Sequence, residues 1–347
     1  MRTSTLRALS ASLLAGAALS GCAALDDEYR QAIPTSQQVT IAVPQAGGGA
    51  GKSSVGGVGE LGQALVGSPS EYYLFTWTVS TAVNTSALAL LALLHGIVEQ
   101  HPTSQTANSR TWGPHPPGGL DPLTYRAVVT REAPGQYAFS IDARLRTSND
   151  EADFQPLLDG GITLGSSPQT GKGHMTLHFD HARLLKPLAC EQGTVSHVFD
   201  NTQPVATLDV AFDKFANANP RGIGCLGETP HDATYHYDRS GDGSGNFTFA
   251  LATNVHKLGE NKPALEDVSI RSRWLASGAG RADVKIAGGE VKTDLEALKL
   301  GQTSVIVSQC WDTGFVTAYE TSTPEAIQLV KTAGDDKACA FPVMQLP

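Results

Sequence analysis

The stretch Tyr137-Ala138-Phe139-Ser140-Ile141-Asp142-Ala143-Arg144-Leu145-Arg146 places apolar side chains at the odd positions and mostly polar ones at the even positions. Successive side chains of a β-strand point to opposite faces, so this alternation predicts a strand with one buried and one solvated face. The turn sequence Glu132-Ala133-Pro134-Gly135 joins it to a second alternating run at residues 125–131. The two runs therefore predict an antiparallel hairpin.

Similar runs recur along the rest of the chain, separated by short segments rich in Gly, Asp, Asn and Pro. They lie at residues 175–181, 194–200, 206–215, 234–238, 247–253, 268–274, 282–286, 305–311 and 315–320. Many neighbouring strands joined by short polar turns are typical of a meander that closes or curls strongly. The sequence therefore predicts a mainly β fold, a curled antiparallel meander of half-barrel or barrel-like form.

One or two N-terminal helices are expected to pack against this meander, within the segment 68–101. Ser68-Pro69-Ser70-Glu71 has the pattern of a capping box and predicts a helix that begins at Ser68. Residues 72–98 contain no Asp, Glu, Lys or Arg, but their first half is rich in Ser, Thr and Asn, which favours a buried helix over a membrane span. Asn84-Thr85-Ser86 can cap a second helix, and another cap-like sequence predicts a helix within residues 322–331.

The N-terminus combines a short basic start, an apolar run at residues 8–19 and the tetrapeptide Leu19-Ser20-Gly21-Cys22. This order is typical of an export signal, and the tetrapeptide resembles the lipobox of bacterial lipoproteins. The resemblance implies that residues 1–21 are removed and that Cys22 is acylated, so that a lipid anchor holds the protein to a membrane of the cell envelope. Ala23 stands where some lipoproteins carry an inner-membrane aspartate, which favours the outer membrane.

Residues 22–67 are low in complexity and predict a flexible tether between the lipid and a globular domain at residues 68–347. The short apolar piece at residues 39–44 suggests an edge strand. Residues 46–53 fit a relaxed phosphate-loop pattern, but the glycine-rich sequence after them is a poor helix start. We interpret them as part of the tether.

The formal net charge of −9 over 347 residues argues against a nucleic-acid partner. Besides Cys22 there are four cysteines, an even number that suggests disulfides in an exported chain. Three pairings are open. Local loop closure favours Cys190–Cys225 with Cys310–Cys339. A zinc site is the alternative, although the chain has no Cys-x-x-Cys.

Histidines and aspartates two residues apart on predicted strands are weak metal candidates: His178 with Asp180, and His236 with Asp238. Two such pairs on facing strands have the residue types of a zinc site, but polar strand ends explain them equally well. Asp242 belongs to a sequence similar to a calcium loop, yet Phe249 occupies the twelfth position, where the bidentate Glu is required. An Asp-Gly hairpin is the favoured interpretation.

A row of cations alternates on a later predicted hairpin and is expected to form a solvated outer sheet face. Its members are Arg271, Arg273, Arg281 and Lys285. An anionic partner of this face is the alternative.

The chain contains neither Gly-x-Ser-x-Gly nor His-Glu-x-x-His, and no cofactor motif is expected to function in it. The sequence favours a non-catalytic envelope protein that binds a ligand, such as an apolar molecule or lipid, or another envelope protein. An envelope hydrolase with a site assembled from separated strands is the alternative. The predicted architecture is similar to that of half-barrel lipoprotein carriers, which hold acyl chains between sheet and helices.

Overall fold

The computed structural model describes residues 28–45, 66–115, 121–167, 169–186, 191–216, 230–253, 265–324 and 332–343. These form one sheet of 15 antiparallel strands, hydrogen-bonded in sequence order. The strands are β1 Ser104–Gln105, β2 Ser109–His115, β3 Leu123–Ala133, β4 Gln136–Leu145, β5 Gln155–Leu164, β6 Gly171–His178, β7 Gln192–Asp200, β8 Val205–Ala216, β9 His231–Ser240, β10 Gly245–Thr253, β11 Glu266–Trp274, β12 Gly280–Gly288, β13 Ser304–Trp311, β14 Thr317–Thr323 and β15 Ala333–Gly334. The predicted antiparallel meander is confirmed.

The helices that the described residues contain include α1 Ser36–Val39, α2 Glu71–Val98, α3 Phe179–Leu185 and α4 Gly289–Ala297. The sheet is open, because its order begins at β1 and ends at β15 without pairing between them. It is nevertheless curled, since α2 contacts β3 near one edge and β11 and β12 towards the other. One hydrophobic core joins the inner face of the strands to α2.

Glycines opposite large aromatic residues help the inner face to curl. Gly245 faces Trp274, and a Cβ added to this glycine would lie 2.6 Å from the indole ring. Gly280 faces Trp311 in the same way two strands further along the sheet. In each pair the ring occupies the space that a side chain would otherwise fill, so the aromatic residue lies directly over its neighbour's backbone.

The helix α2 begins at Glu71, so the predicted start at Ser68 is wrong. The carbonyl of Ser68 accepts a hydrogen bond from Thr317 N at 2.8 Å, and Pro69 forms a bridge with Val316. The chain is therefore extended up to Ser70. The Ser70 hydroxyl then accepts from Tyr73 N at 3.1 Å and caps the helix.

The predicted second helix after Asn84 is not formed, because α2 continues through residues 84–86. The Asn84 side chain accepts from Ile41 N and donates to Ile41 O, each at 2.8 Å, so a tertiary contact satisfies this polar group. Among the described residues, α2 alone is long and apolar enough to span a membrane, a property that helices in soluble cores share.

Residues 28–45 correct the prediction of a tether over residues 22–67. Tyr29, Ile33 and Val39 are buried in the core, and the Tyr29 ring meets that of Tyr137 edge-on at 5.8 Å. Residues 39–44 form no edge strand: Val39 is the last residue of α1, and residues 40–44 have no regular secondary structure. Residues 22–27 and 46–65, including the phosphate-loop-like sequence, lie outside the described residues.

Further differences concern local boundaries. The predicted strand 175–181 ends at His178, where α3 begins, and α4 was not predicted. The strands β2 and β5 were also missed; β5 contains Gly160 and Gly161, which read as turn residues in the sequence. Of the predicted helix 322–331, residues 322–323 belong to β14, and residues 325–331 lie outside the described part.

The two ends of the sheet differ in their connections. At one end the strands are joined by short turns, as at residues 134–135, 201–204 and 241–244. At the other end the connections are longer and include α3, between β6 and β7, and α4, between β12 and β13.

Candidate functional site

A continuous series of aromatic rings crosses the inner face of the sheet towards the end with the longer connections. We name it the aromatic row: Phe179, Phe215, Phe212, Tyr235, Phe249 and Phe75. The successive ring centroids are 5.4, 5.1, 5.0, 4.7 and 6.1 Å apart. These spacings are those of aromatic rings in favourable contact. The row links α3, three adjacent strands and α2.

Strand register explains why three of these rings share one face. Tyr235 of β9 lies opposite Phe249 of β10. Phe212 of β8 lies opposite Ala233, which is two residues before Tyr235 on β9 and therefore on the same face. Phe215 is three residues after Phe212 and would face outward on a regular strand. A register shift between them, with Lys214 at φ +47°, returns Phe215 to the inner face.

The aromatic row is only partly covered. Phe249 is buried, but Phe75, Phe179, Phe212 and Phe215 are half-buried, as is Tyr235. Burial raises the pKa of the Tyr235 phenol, so this hydroxyl stays neutral at physiological pH. The row therefore presents uncharged aromatic surface that a ligand can contact, which suits an apolar molecule.

The sequence contains only a weak signal for this row. Phe212, Tyr235 and Phe249 fall within predicted strands, but Phe215 reaches the row through a bulge and Phe179 through the unpredicted α3. The signal that was available is the recurrence of Phe and Tyr between residues 179 and 249.

A second concave feature lies near the short-turn end, between α1 and strands β8 and β9. It is a shallow, open cleft, and its lining includes Gln38, Leu208, Tyr237 and Arg239. It is also more polar than the aromatic row.

A buried polar group ties the start of α2 to strands β13 and β14. Gln309 Oε1 accepts from the Ser70 hydroxyl at 2.5 Å and from Tyr72 N at 3.3 Å, and its Nε2 donates to Glu320 at 3.1 Å. Burial, with the charge of Glu320 second, raises the pKa of Tyr72. These groups lie within the core, so they position the helix instead of facing a substrate.

The predicted metal candidates are not brought together. His178 ends β6 beside Asp159, whereas Asp180 belongs to α3 and accepts from Gly193 N at 2.8 Å. His236 lies on β9, three strands from β6 in the sheet order. At about 4.8 Å per strand these strands are too far apart for one ion.

His236 has two carboxylate neighbours, but on opposite edges of its ring. Nδ1 is 2.6 Å from Asp209 and Nε2 is 3.1 Å from Asp238, so the two carboxylates cannot share an ion with one nitrogen. Partial burial opposes the charge of the imidazole, but the two aspartates outweigh it and raise the pKa of His236. Across the described ranges, no three His, Cys, Asp or Glu side chains are placed to hold a metal.

Residues 241–244 form the turn of the β9–β10 hairpin. Asp242 Oδ1 accepts from Ser244 N at 2.9 Å and from the Ser244 hydroxyl at 2.7 Å. These bonds lower the pKa of Asp242. They explain the aspartate as a turn residue, in agreement with the hairpin interpretation.

Cys310 and Cys339 form a disulfide with a Cα–Cα distance of 5.5 Å, which confirms that predicted pair. Cys22, Cys190 and Cys225 lie outside the described residues, so lipidation and the second pairing stay predictions.

The expected solvated cation face is wrong for Arg273 and Arg281, both of which are buried. Arg271 is only half-buried and donates from Nε to Asn246 at 2.8 Å. Lys285 is likewise half-buried.

Comparison with known proteins gives no relative: no family model, no curated protein and no solved structure matches the chain.

Proposed function

We propose that this chain is a lipid-anchored protein of the cell envelope that binds an apolar ligand along the aromatic row. The observation that carries the proposal is the series of six uncharged rings on the inner face, five of them half-buried. Apolar surface that stays in contact with water favours an apolar partner, because burying it releases about 25 cal/mol per Å².

The location part of the proposal rests on Cys22. Its sequence context resembles a lipobox, and acylation there would hold the globular domain at a membrane, with the outer membrane favoured. A lipid-anchored protein meets acyl chains at high local concentration. An acyl lipid is therefore the ligand class that we propose for the aromatic row.

The composition of the row supports binding over catalysis. Its only titratable member is Tyr235, whose pKa burial raises further from neutrality. General acid–base catalysis works best with a group that titrates near the operating pH, which a buried phenol does not. The rings supply contact area and shape, and each acyl methylene that they cover contributes about 0.8 kcal/mol.

A soluble form that starts at Ala23 tests this proposal. We expect native mass spectrometry to show bound acyl lipid or, for delipidated protein, saturable uptake of a fluorescent fatty acid. Phe212→Ala combined with Phe215→Ala should weaken that uptake at least tenfold, because two adjacent rings of the row are lost.

Tyr319→Ala is the matched control, since Tyr319 is a half-buried aromatic residue opposite Cys310, on the outer side of the sheet. It should leave uptake unchanged, and circular dichroism should show that all variants are folded. Uptake that is absent from the parent protein, or that both sets of substitutions weaken equally, would rule out the aromatic row as the binding site.

A further inference from the structure

The last described residues, 332–343, lie across the outer side of the sheet and are here named the C-terminal strap. The strap begins with β15, which pairs with β14 at Tyr319 and Glu320. Further along, the carbonyl of Pro342 accepts from Arg273 Nη2 at 2.7 Å and that of Phe341 accepts from Arg281 Nη1 at 3.3 Å. Most of its residues are exposed, so it is a thin cover.

Beneath the strap lies a buried group of charges on β11 and β12. Asp283 is fully buried and accepts from Arg281 Nε at 2.9 Å and from Arg273 Nη2 at 3.0 Å. Asp336 of the strap supplies a second carboxylate, 3.3 Å from Arg281, and its side chain is 64% exposed. Without the strap, two arginines would share one aspartate.

The disulfide that holds the strap is asymmetric. Cys310 on β13 is fully buried, whereas Cys339 in the strap is half-buried and faces solvent on one side. A reductant therefore reaches the sulfur of Cys339 first.

Cys310 also lies directly opposite Arg281 in the β12–β13 pair. Directly opposed residues have Cβ atoms about 5 Å apart. The guanidinium of Arg281 is fully buried, and its Nη2 has no hydrogen-bond partner among the described residues. Arg281 is the residue directly opposite Cys310, so its positive charge favours a thiolate at Cys310, because a neighbouring arginine stabilises the charged sulfur.

We propose that Cys310–Cys339 is a redox-active disulfide that holds the strap on the sheet. A dithiol reductant attacks Cys339, and Arg281 stabilises Cys310 as the leaving thiolate. A thiolate of the reductant attacks Cys339 Sγ, the S–S bond breaks, and its electron pair leaves on Cys310 Sγ. The reductant's second thiolate then displaces Cys339 Sγ from the mixed disulfide. The reductant ends as a disulfide, and its two protons reside on the two cysteines.

Reduction removes the covalent hold on the strap and leaves the short β15 pairing, the two carbonyl hydrogen bonds to Arg273 and Arg281, and the Arg281–Asp336 ion pair. The carboxylate of that ion pair is 64% exposed, so the pair contributes only about 1 kcal/mol. The strap then detaches and uncovers Arg273 and Arg281, whose charges exceed that of Asp283. The outer face of β11 and β12 changes from covered to electropositive.

The first test uses the soluble wild-type form that starts at Ala23, at neutral pH with a limited amount of glutathione, quenched in acid. Peptide mapping by mass spectrometry should find the glutathione adduct on Cys339. An adduct mainly on Cys310 would overturn the proposed direction of attack.

In the reduced protein, trypsin should cut after Lys337 at least tenfold faster than in the oxidised protein; equal rates would show that the disulfide does not hold the strap.

The second test compares Arg281→Gln with Arg271→Gln, a matched change on the same strand pair. Loss of Arg281 should slow reduction by dithiothreitol roughly threefold or more, because the leaving thiol is less acidic. Loss of Arg271, which does not face Cys310, should leave the rate unchanged. If Arg281→Gln unfolds, the adduct site in the wild-type chain still decides the direction of attack; a folded Arg281→Gln with an unchanged rate would exclude the role of Arg281.

Discussion

His197 shows how a single residue departs from its sequence pattern. It lies on the inner face of β7, opposite Met175 and Val210 on the neighbouring strands, and is 1% exposed. Neither ring nitrogen has a hydrogen-bond partner in the described part of the chain. Burial lowers the pKa of His197 to about 4, so the folded protein holds the imidazole in its neutral form.

This burial predicts a specific acid sensitivity. Between about pH 4 and 6.5, His197 is protonated in the unfolded chain but neutral in the folded protein. The free energy of unfolding therefore decreases as the pH falls through this window. The wild-type protein should lose about 2 kcal/mol at pH 5, relative to pH 7, through this residue. His197→Leu should remove that part of the loss, as measured by urea unfolding at the two pH values.

His174 provides the control, since it is exposed on the adjacent strand β6. His174→Leu should keep the acid sensitivity of the wild type. The explanation fails if His197→Leu and the wild type lose the same free energy of unfolding between pH 7 and pH 5.

For single residues, the sequence predicted on which face of the sheet a side chain lies, but not whether it is buried. The alternation around Arg273 and Arg281 placed both residues correctly on the outer side of a hairpin. Their burial depends on the strap, which is about 60 residues away in sequence, and periodicity carries no information on such a contact. His178 and Asp180 failed as a pair because β6 ends between them.

Among the elements, the strands depend on glycine–aromatic pairs that hold neighbouring backbones close to a ring. Gly280 is the sharpest case, since Trp311 and the carbonyl of Arg273 both border the position of an added Cβ. Gly280→Ala should lower the free energy of unfolding by about 2–3 kcal/mol through overpacking. Urea unfolding measures this.

Gly241→Ala is the matched substitution, because a Cβ at Gly241 meets nothing within 4 Å. It should change stability by less than about 0.5 kcal/mol. Comparable losses for both glycines would mean that backbone entropy, and not contact with Trp311, accounts for the effect.

Element boundaries were predicted where local chemistry decides them and missed where a distant partner does. The alternating strands were found because half-buried strands carry their own pattern. The helix α2 starts at Glu71 and not at Ser68 because Ser68 and Pro69 pair with Thr317 and Val316, at the start of β14. Residues 28–45 resembled a tether because they adjoin the glycine-rich residues 46–62 and have no alternating pattern; only the folded sheet gives Tyr29, Ile33 and Val39 a core to join.

For the whole molecule, the meander order was predictable because each strand pairs with its neighbour in sequence. The curl is a consequence of sharing one core: α2 contacts strands near both edges of the sheet, and the aromatic row lies on the same inner face. The row was not predictable, since it joins side chains from five separate elements.

The central claim is that an apolar ligand lies along the aromatic row, and quenching by brominated acyl chains tests it most directly. Phe212→Trp places a reporter in the row, and Tyr319→Trp places one on the outer side; both are made together with Trp77→Phe, because Trp77 is only half-buried on α2, and the buried Trp112, Trp274 and Trp311 form the common background. We predict saturable quenching of the Phe212→Trp reporter and none of the Tyr319→Trp reporter. Equal quenching of both reporters, or no quenching of the Phe212→Trp reporter, would contradict the proposed binding site.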